Sequence, residues 1–425
     1  NSGVILGGTI SDSNGVVPVF VSGTSATLNN VTLDTDLTVV SGSSLFVQGD
    51  LILKDGRKII LDSQNQNADL RFVGDSTLRA ENGAQAEVLF GGISSFGRMF
   101  ASNGGDTLTI APNITVRGTQ GGQIGLGGRN LINQGSILAE TAGKTISIDA
   151  GTFNNSGTVL ATAGGVVDIS NLVSNAGGLL QTDTGSTLTI AGANWSNVGG
   201  QIAVQGGTLN LGGSFTTAAL NFANGYTRSG GTLRLTGVMN NTGDTLALNA
   251  ATGVMVLVGG TIRGGTLSDS GGVIPLLSTQ ASATFDNVLL DADFTVTSGS
   301  TLFVTDTLGN GRGLILKNGR RLTLDSQNQN SDLRFVGNQT MDAEAGGTAQ
   351  LFFSGISSFS RIFASNGAET LTLGPNLTVR GTQGGQLGLG GRNLINQGSI
   401  IAGTAGKTFN IDAGSFSNSG TVLAT

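Results

Sequence analysis

Short alternations of apolar and polar residues recur along the chain and predict β-strands. Tetrapeptides such as TISI at Thr145, VVDI at Val166 and TLTI at Thr187 place apolar residues two positions apart. Because side chains of a strand point alternately to its two faces, this pattern is typical of a strand that is buried on one face. We find no stretch with sustained helical periodicity, so the sequence predicts an all-β protein with no substantial helix.

The spacing of the strands predicts how they are arranged. From Thr145 to Thr208 the strand starts are each 21 positions apart, and the next two spacings are 24 and 22. Such short spacings do not suit long hairpins, but they do suit a coil with two or three short strands in each turn. We therefore predict a β-solenoid with about 21 residues per coil and roughly 20 turns, stacked in parallel about 4.8 Å apart.

A long internal repeat supports this architecture. The segment RGTQGGQIGLGGRNLINQGSI at 117–137 returns at 380–400 with only Ile124 replaced, by Leu387. The offset between copies is 257 residues up to Val304 and 263 afterwards, which places six extra residues near Thr305 to Gly313. We divide one continuous solenoid into the end of a preceding coil (1–6), copy A (7–162), an unrepeated segment (163–263) and copy B (264–425). Both ends lie within the pattern, so we expect a piece of a larger protein or polymer.

The interior of such a coil should be stacked Val, Leu and Ile, with Phe at corners and in layers. The single Trp195 and the single Tyr226 lie in the unrepeated segment. They mark either a surface contact or, as we favour, core or corner filling. The Phe residues predicted to contribute to the core are Phe46, Phe72, Phe90, Phe96, Phe100 and Phe153 in copy A, and Phe303, Phe335, Phe353, Phe359, Phe363 and Phe416 in copy B.

Composition narrows the classes of function. Gly accounts for 71 of 425 residues, charged residues for only 11%, and the net charge is −6. We expect no nucleic-acid partner, because no basic patch is present, and no membrane span, because no apolar run approaches about 18 residues. Cys and His are both absent, which removes the thiolate nucleophile and the commonest general base and metal ligand. We therefore expect no enzyme, although a polysaccharide-degrading β-helix remains the less favoured alternative.

A recurring motif, apolar-Asn-x-Gly-x-apolar, is predicted to form the turns of the coil. It occurs as LINQGSI at Leu131, FNNSGTV at Phe153 and FSNSGTV at Phe416. Asn tolerates left-handed turns beside Gly, and stacked amides form ladders that hold register between turns. The predicted turn and ladder residues are Asn133, Gly135, Asn155, Gly157, Asn396, Gly398, Asn418 and Gly420.

These Asn-x-Gly turns, together with GGTL-type strand starts, resemble the repeats of the filamentous-haemagglutinin and autotransporter-type adhesins of Gram-negative bacteria. The resemblance covers most of the chain in style, although the long repeat unit departs from the short repeats usual in that family. It implies a right-handed parallel β-helix that is secreted or held at the cell surface as a fibre or adhesive stalk.

The most polar stretch is LDSQNQNADLRF at 61–72, matched by LDSQNQNSDLRF at 324–335. It is either a surface loop that binds carbohydrate or calcium or, as we favour, a turn in which Asp69 and Arg71 form a weak surface ion pair. The candidate binding residues are Asp62, Asn65, Asn67, Asp69 and Arg71 in copy A, and Asp325, Asn328, Asn330, Asp332 and Arg334 in copy B. We expect no cofactor; calcium is the one candidate, with Asp34, Asp36, Asp291 and Asp293 as further oxygen donors.

Taken together, these patterns favour a structural role. We expect a segment of an extracellular bacterial fibre, filament or biofilm surface appendage whose partner is itself, end to end or as further repeats. The alternative is an adhesin stalk that binds a cell-surface or matrix polysaccharide.

Overall fold

The structure, a computed structural model, describes residues 3–12, 18–307, 309 and 312–425. It separates into two compact units, unit 1 (1–232) and unit 2 (233–425). The chain is a parallel β-solenoid of about 18 turns, with about 55% of its residues in strands and 1% in helix. The predicted fold class is confirmed.

Unit 1 places its parallel strands on three faces. The first face contains Gly3–Leu6, Ala68–Val73, Gly97–Ala101, Gly122–Ile124, Thr145–Ile148, Val166–Ile169, Thr187–Ile190 and Thr208–Leu211. The second contains Thr9–Ser11, Ser76–Ala80, Thr107–Ile110, Asn130–Asn133, Thr152–Asn155 and Leu172–Ser174, whereas Ser214–Thr216 belongs to a separate sheet. The third contains Leu37–Val40, Lys58–Ser63, Ala86–Gly92, Ile114–Gly118, Ser136–Ala139, Thr158–Ala161, Leu179–Asp183, Gln201–Gln205 and Tyr226–Arg228.

Two longer strands of unit 1, Ser25–Asp34 and Ser44–Leu53, belong to both the first and the second face. They turn the corner at Asn30 and Gly49, whose φ angles are 53° and 69°. A short helix, Thr217–Leu220, begins where Thr216 accepts a hydrogen bond from the Ala219 backbone and ends at the left-handed Asn221. These are local corner devices on an otherwise regular coil.

Unit 2 is built from the same kind of parallel strands. One sheet contains Val238–Asn240, Thr261–Arg263, Ser282–Asp286, Thr301–Thr305, Ser331–Phe335, Ser360–Ala364, Gly385–Leu387 and Phe409–Ile411. A second contains Thr245–Ala247, Thr266–Ser268, Val288–Asp291, Arg312–Leu316, Gln339–Ala343, Thr370–Leu373, Asn393–Asn396 and Ser415–Asn418. A third contains Phe294–Val296, Arg321–Ser326, Ala349–Gly355, Leu377–Gly381, Ser399–Ala402 and Thr421–Ala424, and a further run pairs Thr232–Leu235, Met255–Leu257 and Leu276–Leu277.

Most inward positions are filled by apolar side chains that stack from turn to turn. On the third face of unit 1, Val116 pairs with Ile137, Ile137 with Val159 and Val159 with Leu180, and all four are fully buried. Complete burial of such a side chain is worth about 1.5–3 kcal/mol, but only while the neighbouring turns are present to cover it.

The predicted period holds in only part of the chain. From Thr145 through Val166 and Thr187 to Thr208, each strand start pairs with the next one in the series, as their constant spacing predicts. In copy A, however, Ser44 pairs with Asp69 and Asp69 with Arg98, so single turns there contain more residues than the period allows. The extra residues form corner loops, so the chain makes about 18 turns rather than roughly 20. Three positions of the predicted insertion near Thr305, numbered 308, 310 and 311, lie outside the described residues.

The Phe predictions need correction at four positions. Phe96 and Phe359 are about half exposed, at 49% and 50%, because they lie on corner loops rather than in strands. Phe46 and Phe303 are half-buried on outward strand positions. Phe416 pairs with the buried Leu394 and continues its inward column. The core positions that the structure does bury are Phe72, Phe90, Phe100, Phe153, Phe335, Phe353 and Phe363.

Trp195 and Tyr226 belong to the core of unit 1. Trp195 is fully buried, donates a hydrogen bond from Nε1 to the Gly212 carbonyl at 3.0 Å, and lies 4.5 Å from the Phe215 ring centroid. Tyr226 is 8% exposed and extends the apolar stack beyond Ile202. Of the two interpretations left open by the sequence, core filling is therefore the correct one.

Candidate functional site

The residues predicted to hold the coil in register form a buried amide ladder in unit 1. Asn133 donates from Nδ2 to the side-chain oxygen of Asn155 at 2.8 Å, Asn155 donates to Asn175 at 2.7 Å, and Asn175 donates to Asn197 at 2.7 Å. All four are at most 2% exposed. The ladder thus joins four successive turns through side chains that water does not reach.

The ladder also closes each turn locally. Asn155 Nδ2 lies 3.1 Å from the Gly157 carbonyl in its own turn, and Asn133 Nδ2 lies 3.3 Å from the Thr158 carbonyl in the next turn. At the beginning of the ladder, Asn133 Oδ1 is buried and has no partner among the described residues. The amides therefore run in one direction, each donating toward the next turn along the chain.

Copy B repeats this arrangement within unit 2. Asn396 donates to the Asn418 side-chain oxygen at 2.7 Å and to the Gly398 carbonyl at 3.3 Å. Asn396 is fully buried, and its Oδ1 has no partner among the described residues, like that of Asn133.

The motif does not form the left-handed turn that we considered for Asn beside Gly, and its Gly residues have another role. Neither Gly135 nor Gly157 has positive φ, and the same is true of Asn133 and Asn155. Instead, a Cβ at Gly157 would collide with the Gly135 carbonyl oxygen of the turn beneath. In copy B a Cβ at Gly420 would meet the Gly398 carbonyl, and one at Gly398 would meet the Leu377 carbonyl. Gly is required here because two backbones approach closely.

Asn175 is a ladder residue that the motif did not identify. Its sequence context is Asn-Ala-Gly-Gly, so a second Gly separates the motif Gly from the following strand. Asn175 Nδ2 consequently bonds to the Gly178 carbonyl, three residues away, whereas Asn155 bonds two residues away. A motif that allows one or two Gly residues would have found it.

The predicted polar loops lie at corners of the coil. In copy A the loop 64–67 is followed one turn later by the loop 93–96, and we call the pair corner site A. The hydroxyl of Ser63 donates to the Ser94 carbonyl at 2.5 Å and accepts from the Phe96 backbone at 3.3 Å, so one buried serine at the start of the first loop fastens the second loop to it.

Corner site A presents free amides beside an apolar surface. Asn65 and Asn67 are exposed, and their side-chain amides have no partner among the described residues. Ile93 and Phe96 are exposed next to them, at 70% and 49%. Gln64 donates a hydrogen bond from Nε2 to Asp62 Oδ1 at 2.8 Å. Amides and an aromatic ring on one surface suit a ligand that has both hydroxyl groups and apolar faces.

The same corner is built in unit 2, and we call it corner site B (327–330 and 356–359). Ser326 donates to the Ser357 carbonyl at 2.5 Å, and Gln327 Nε2 donates to Asp325 at 2.9 Å. Asn328 and Asn330 are exposed with no side-chain partner among the described residues. Ile356 and Phe359 are exposed, as in copy A.

Asp69 and Arg71 do not form the weak surface pair that we favoured from the sequence. Asp69 lies on the strand Ala68–Val73 and is 2% exposed. It accepts hydrogen bonds from Arg71 at 2.6 Å and from Arg98 at 2.7 and 2.8 Å. Arg71 in turn lies over the Phe46 and Phe100 rings. The pair was misassigned because Arg98 comes from the next turn and is distant in the sequence, so its contribution cannot be seen locally.

Copy B has the equivalent cluster. Asp332 is 3% exposed and accepts from Arg334 at 2.8 Å and from Arg361 at 2.7 Å. The side chains of Arg334 and Arg361 remain 35% and 24% exposed, so removing one of them costs less than the roughly 3–5 kcal/mol of a fully buried pair. Asp69 and Asp332 therefore act as structural residues, since their carboxylate oxygens accept hydrogen bonds from arginines.

The carboxylates considered for calcium are occupied by cations or by backbone donors. Arg57 donates to Asp34 Oδ1 at 2.9 and 3.2 Å, and this hydrogen bond holds the pKa of Asp34 below its ordinary value. Burial opposes ionisation of Asp291, but hydrogen bonds from Lys317 and Arg320 outweigh it and lower the pKa of that group.

The neighbouring carboxylates are engaged as well. Asp36 accepts from the Lys58 backbone at 2.9 Å, and Asp293 accepts from the Arg321 backbone at 2.8 Å. Among the described residues there is no cluster of three or more acidic, His or Cys side chains that could hold a metal ion.

No helix in the described part of the chain is long and apolar enough to cross a membrane. No family model matches the chain, and a comparison with curated proteins gives no match. Function is therefore inferred from the geometry of the chain itself, which is consistent with a structural or adhesin-stalk role.

Proposed function

We propose that this chain is a structural segment of an extracellular bacterial fibre or surface appendage, of the type that its resemblance to filamentous-haemagglutinin repeats implies. The observation that carries the proposal is the buried amide ladder from Asn133 to Asn197. It is a feature that serves the stacking of turns, and it recurs in copy B at Asn396 and Asn418.

The ladder has a mechanical consequence. Neighbouring turns are held together by parallel strand pairing on three faces, and the amides add a fourth line of hydrogen bonds inside the coil. Each hydrogen bond between neutral amides contributes only about 0.5–1.5 kcal/mol to stability. A turn that slipped by one residue would, however, lose all of its amide hydrogen bonds and leave the buried amides without partners. Register is thus protected along the direction in which a fibre is pulled. We propose no reaction for the chain.

The partner in this proposal is the protein itself, as further repeats of a longer chain or as subunits joined end to end. Immunogold electron microscopy of intact, unpermeabilised cells that express the native protein tests it, with antibodies raised against residues 117–137. We expect gold particles along filaments outside the cell. Labelling that requires permeabilisation, or that never follows a filament, would contradict an extracellular fibre.

Adhesion to a glycan or matrix is the second candidate, and the duplicated corner sites favour it. Both copies expose the same amides and the same aromatic residue, Phe96 in copy A and Phe359 in copy B. A glycan array probed with the native chain and with a Phe96→Ser/Phe359→Ser variant tests this function. Binding that the double variant loses supports adhesion at these corners; a native chain that binds no glycan, or a variant that binds equally, contradicts it.

A further inference from the structure

The two copies differ in charge at one outward position of the coil. In copy A this position contains two cations and two carboxylates, which form a ladder across four turns. Lys58 lies 3.5 Å from Glu87, Arg117 lies 3.1 Å from Glu87, and Arg117 Nη1 lies 3.0 Å from Glu140. The formal charge of this group is therefore zero.

Copy B keeps both cations and loses both carboxylates. Arg321 and Arg380 stand where copy A has Lys58 and Arg117, whereas Glu87 is replaced by Gln350 and Glu140 by Gly403. In addition, Leu89 is replaced by Phe352. The formal charge of the group in copy B is consequently +2, in a chain whose net charge is −6.

Strand pairing brings the retained cations of copy B to one place, which we call the Arg321–Arg380 site (Arg321, Gln350, Phe352 and Arg380). Arg321 pairs with Gln350 on one side of the central strand, and Arg380 pairs with Phe352 on the other. The guanidinium carbon of Arg321 lies 4.7 Å from the Phe352 ring centroid, and that of Arg380 lies 5.7 Å from it. Both guanidinium groups thus lie within cation–π distance of one aromatic ring.

Both guanidinium groups lack a counter-ion. Among the described residues, no carboxylate oxygen lies within 4.0 Å of either guanidinium group, although Asp293 accepts from the Arg321 backbone. Arg321 Nε and Gln350 Oε1 are buried and have no hydrogen-bond partner there. Two guanidinium charges without a carboxylate beside them favour an anionic ligand.

We propose that the Arg321–Arg380 site binds an acidic polysaccharide through a sugar carboxylate. A carboxylate accepts two parallel hydrogen bonds from a guanidinium group, which matches the planar geometry of arginine. The hydroxyl groups beside the carboxylate of a uronic acid add hydrogen-bond donors, whereas sulfate offers only acceptors. The site is separate from the corner loops and does not depend on the fibre proposal.

Isothermal titration calorimetry with tetragalacturonic acid at low ionic strength tests the site, with the neutral galactose tetramer and inorganic sulfate as comparison ligands. We expect saturable 1:1 binding of the acidic oligomer by the native chain. The Arg380→Gln variant should weaken it about tenfold or more, because a charge-assisted contact is lost. Gln350→Glu, which restores the carboxylate of copy A, should weaken it by a similar factor without disturbing the fold.

Copy A supplies the matched control. Arg117→Gln removes the equivalent arginine from a site that is already neutral, so this variant should bind the acidic oligomer as tightly as the native chain. The proposal is overturned if tetragalacturonic acid does not bind, if Arg117→Gln weakens binding as much as Arg380→Gln, or if the neutral tetramer binds equally. Equal affinity for inorganic sulfate would also overturn it, since the site would then recognise any anion.

Discussion

The side-chain amide of Asn155 donates to the side-chain oxygen of Asn175 at 2.7 Å, from one turn of the coil to the next, and both residues are buried. Asn155 also accepts a hydrogen bond from Asn133 of the preceding turn, and Asn175 donates one to Asn197 of the following turn. Asn155 is therefore the link whose removal leaves polar atoms unpaired on both sides.

We expect Asn155→Ala to lower the free energy of unfolding by about 2–4 kcal/mol, because Asn133 loses its acceptor and Asn175 its donor inside the coil. Urea denaturation followed by circular dichroism measures the change. Asn154→Ala is the matched control, since Asn154 lies on the same strand with its side chain outward and should change stability by less than about 0.5 kcal/mol. Equal effects of the two substitutions would refute the structural importance of the ladder.

Close backbone packing makes a second, independent prediction. Gly157→Ala would place a methyl group against the Gly135 carbonyl oxygen, so we expect a loss of about 1–3 kcal/mol in the same denaturation experiment. Gly127→Ala is the control: its Cβ would meet nothing within 4 Å, and its φ is not in the left-handed region. If Gly157→Ala were as stable as Gly127→Ala, the turns would have to be spaced further apart than we describe.

The exposed aromatic residues at the corner sites predict a contrast between neighbouring Phe positions. Phe90 is fully buried, so Phe90→Ala should cost about 3–5 kcal/mol, whereas Phe96→Ala should leave the unfolding midpoint almost unchanged. Thermal or urea melts of the two variants measure this difference. A large loss of stability in Phe96→Ala would restore the original sequence prediction of a core position.

Acid should destabilise the chain in a defined pH range. The Arg57 hydrogen bond lowers the pKa of Asp34. Burial opposes ionisation of Asp286, but hydrogen bonds from Thr307 and Arg263 outweigh it and lower its pKa too. Groups with lowered pKa stabilise the folded state fully above their unfolded pKa, near 4, and lose that contribution as the pH falls through the lower folded value.

Because the chain has no His, we expect the urea midpoint to stay level between about pH 5 and 8 and to decline below about pH 4. In Asp286→Asn the midpoint at pH 7 should be lower and the decline on the acid side shallower. A native midpoint that rises on acidification would show that these carboxylates do not stabilise the fold.

Tyr226 is the only Tyr in the chain, so the alkaline titration of its phenol reports on the folding of unit 1. Desolvation by burial is the main cause that raises its pKa to about 12, and the nearby charge of Arg228 opposes the shift. Phenolate absorbance should therefore titrate near pH 12 in the native chain and near 10 in denaturant, where the pKa returns to its ordinary value. The raised pKa also means that stability is retained below about pH 10 and declines above it. Titration near 10 in the native chain would place Tyr226 at the surface.

The sequence predicted the features that are set by residues close together in the chain. It missed the contacts that are made with the next turn of the coil. Alternation in TISI at Thr145 and the Asn-x-Gly motif at Asn133 were sufficient for the strands, the parallel coil and the positions of ladder residues. The pairing of Asp69 with Arg98 was not visible, because loop length at a corner is set by the particular loop and not by the period. The burial of Asp69 was missed for the same reason.

Two further errors have physical causes that the residue type conceals. Gly157 was predicted only as a turn residue beside an Asn that tolerates left-handed turns, but its lack of a side chain is used for the close approach of two backbones. Phe96 was assigned to the core because an aromatic residue is usually buried, although it lies on a loop fastened by Ser63. Neither distinction can be made before the neighbouring turn is placed.

The most direct test of the stacked coil is electron paramagnetic resonance with pairs of nitroxide labels on one outward column. The chain lacks Cys, so labels can be attached at introduced Cys residues without a background. Ser147 pairs with Asp168, Asp168 with Thr189, and Thr189 with Asn210. For labels at Ser147 and each of the other three, we predict distances that grow in equal steps of about 5 Å. Distances that do not increase in this order, or that increase in unequal steps, would contradict a parallel, in-register stack of turns.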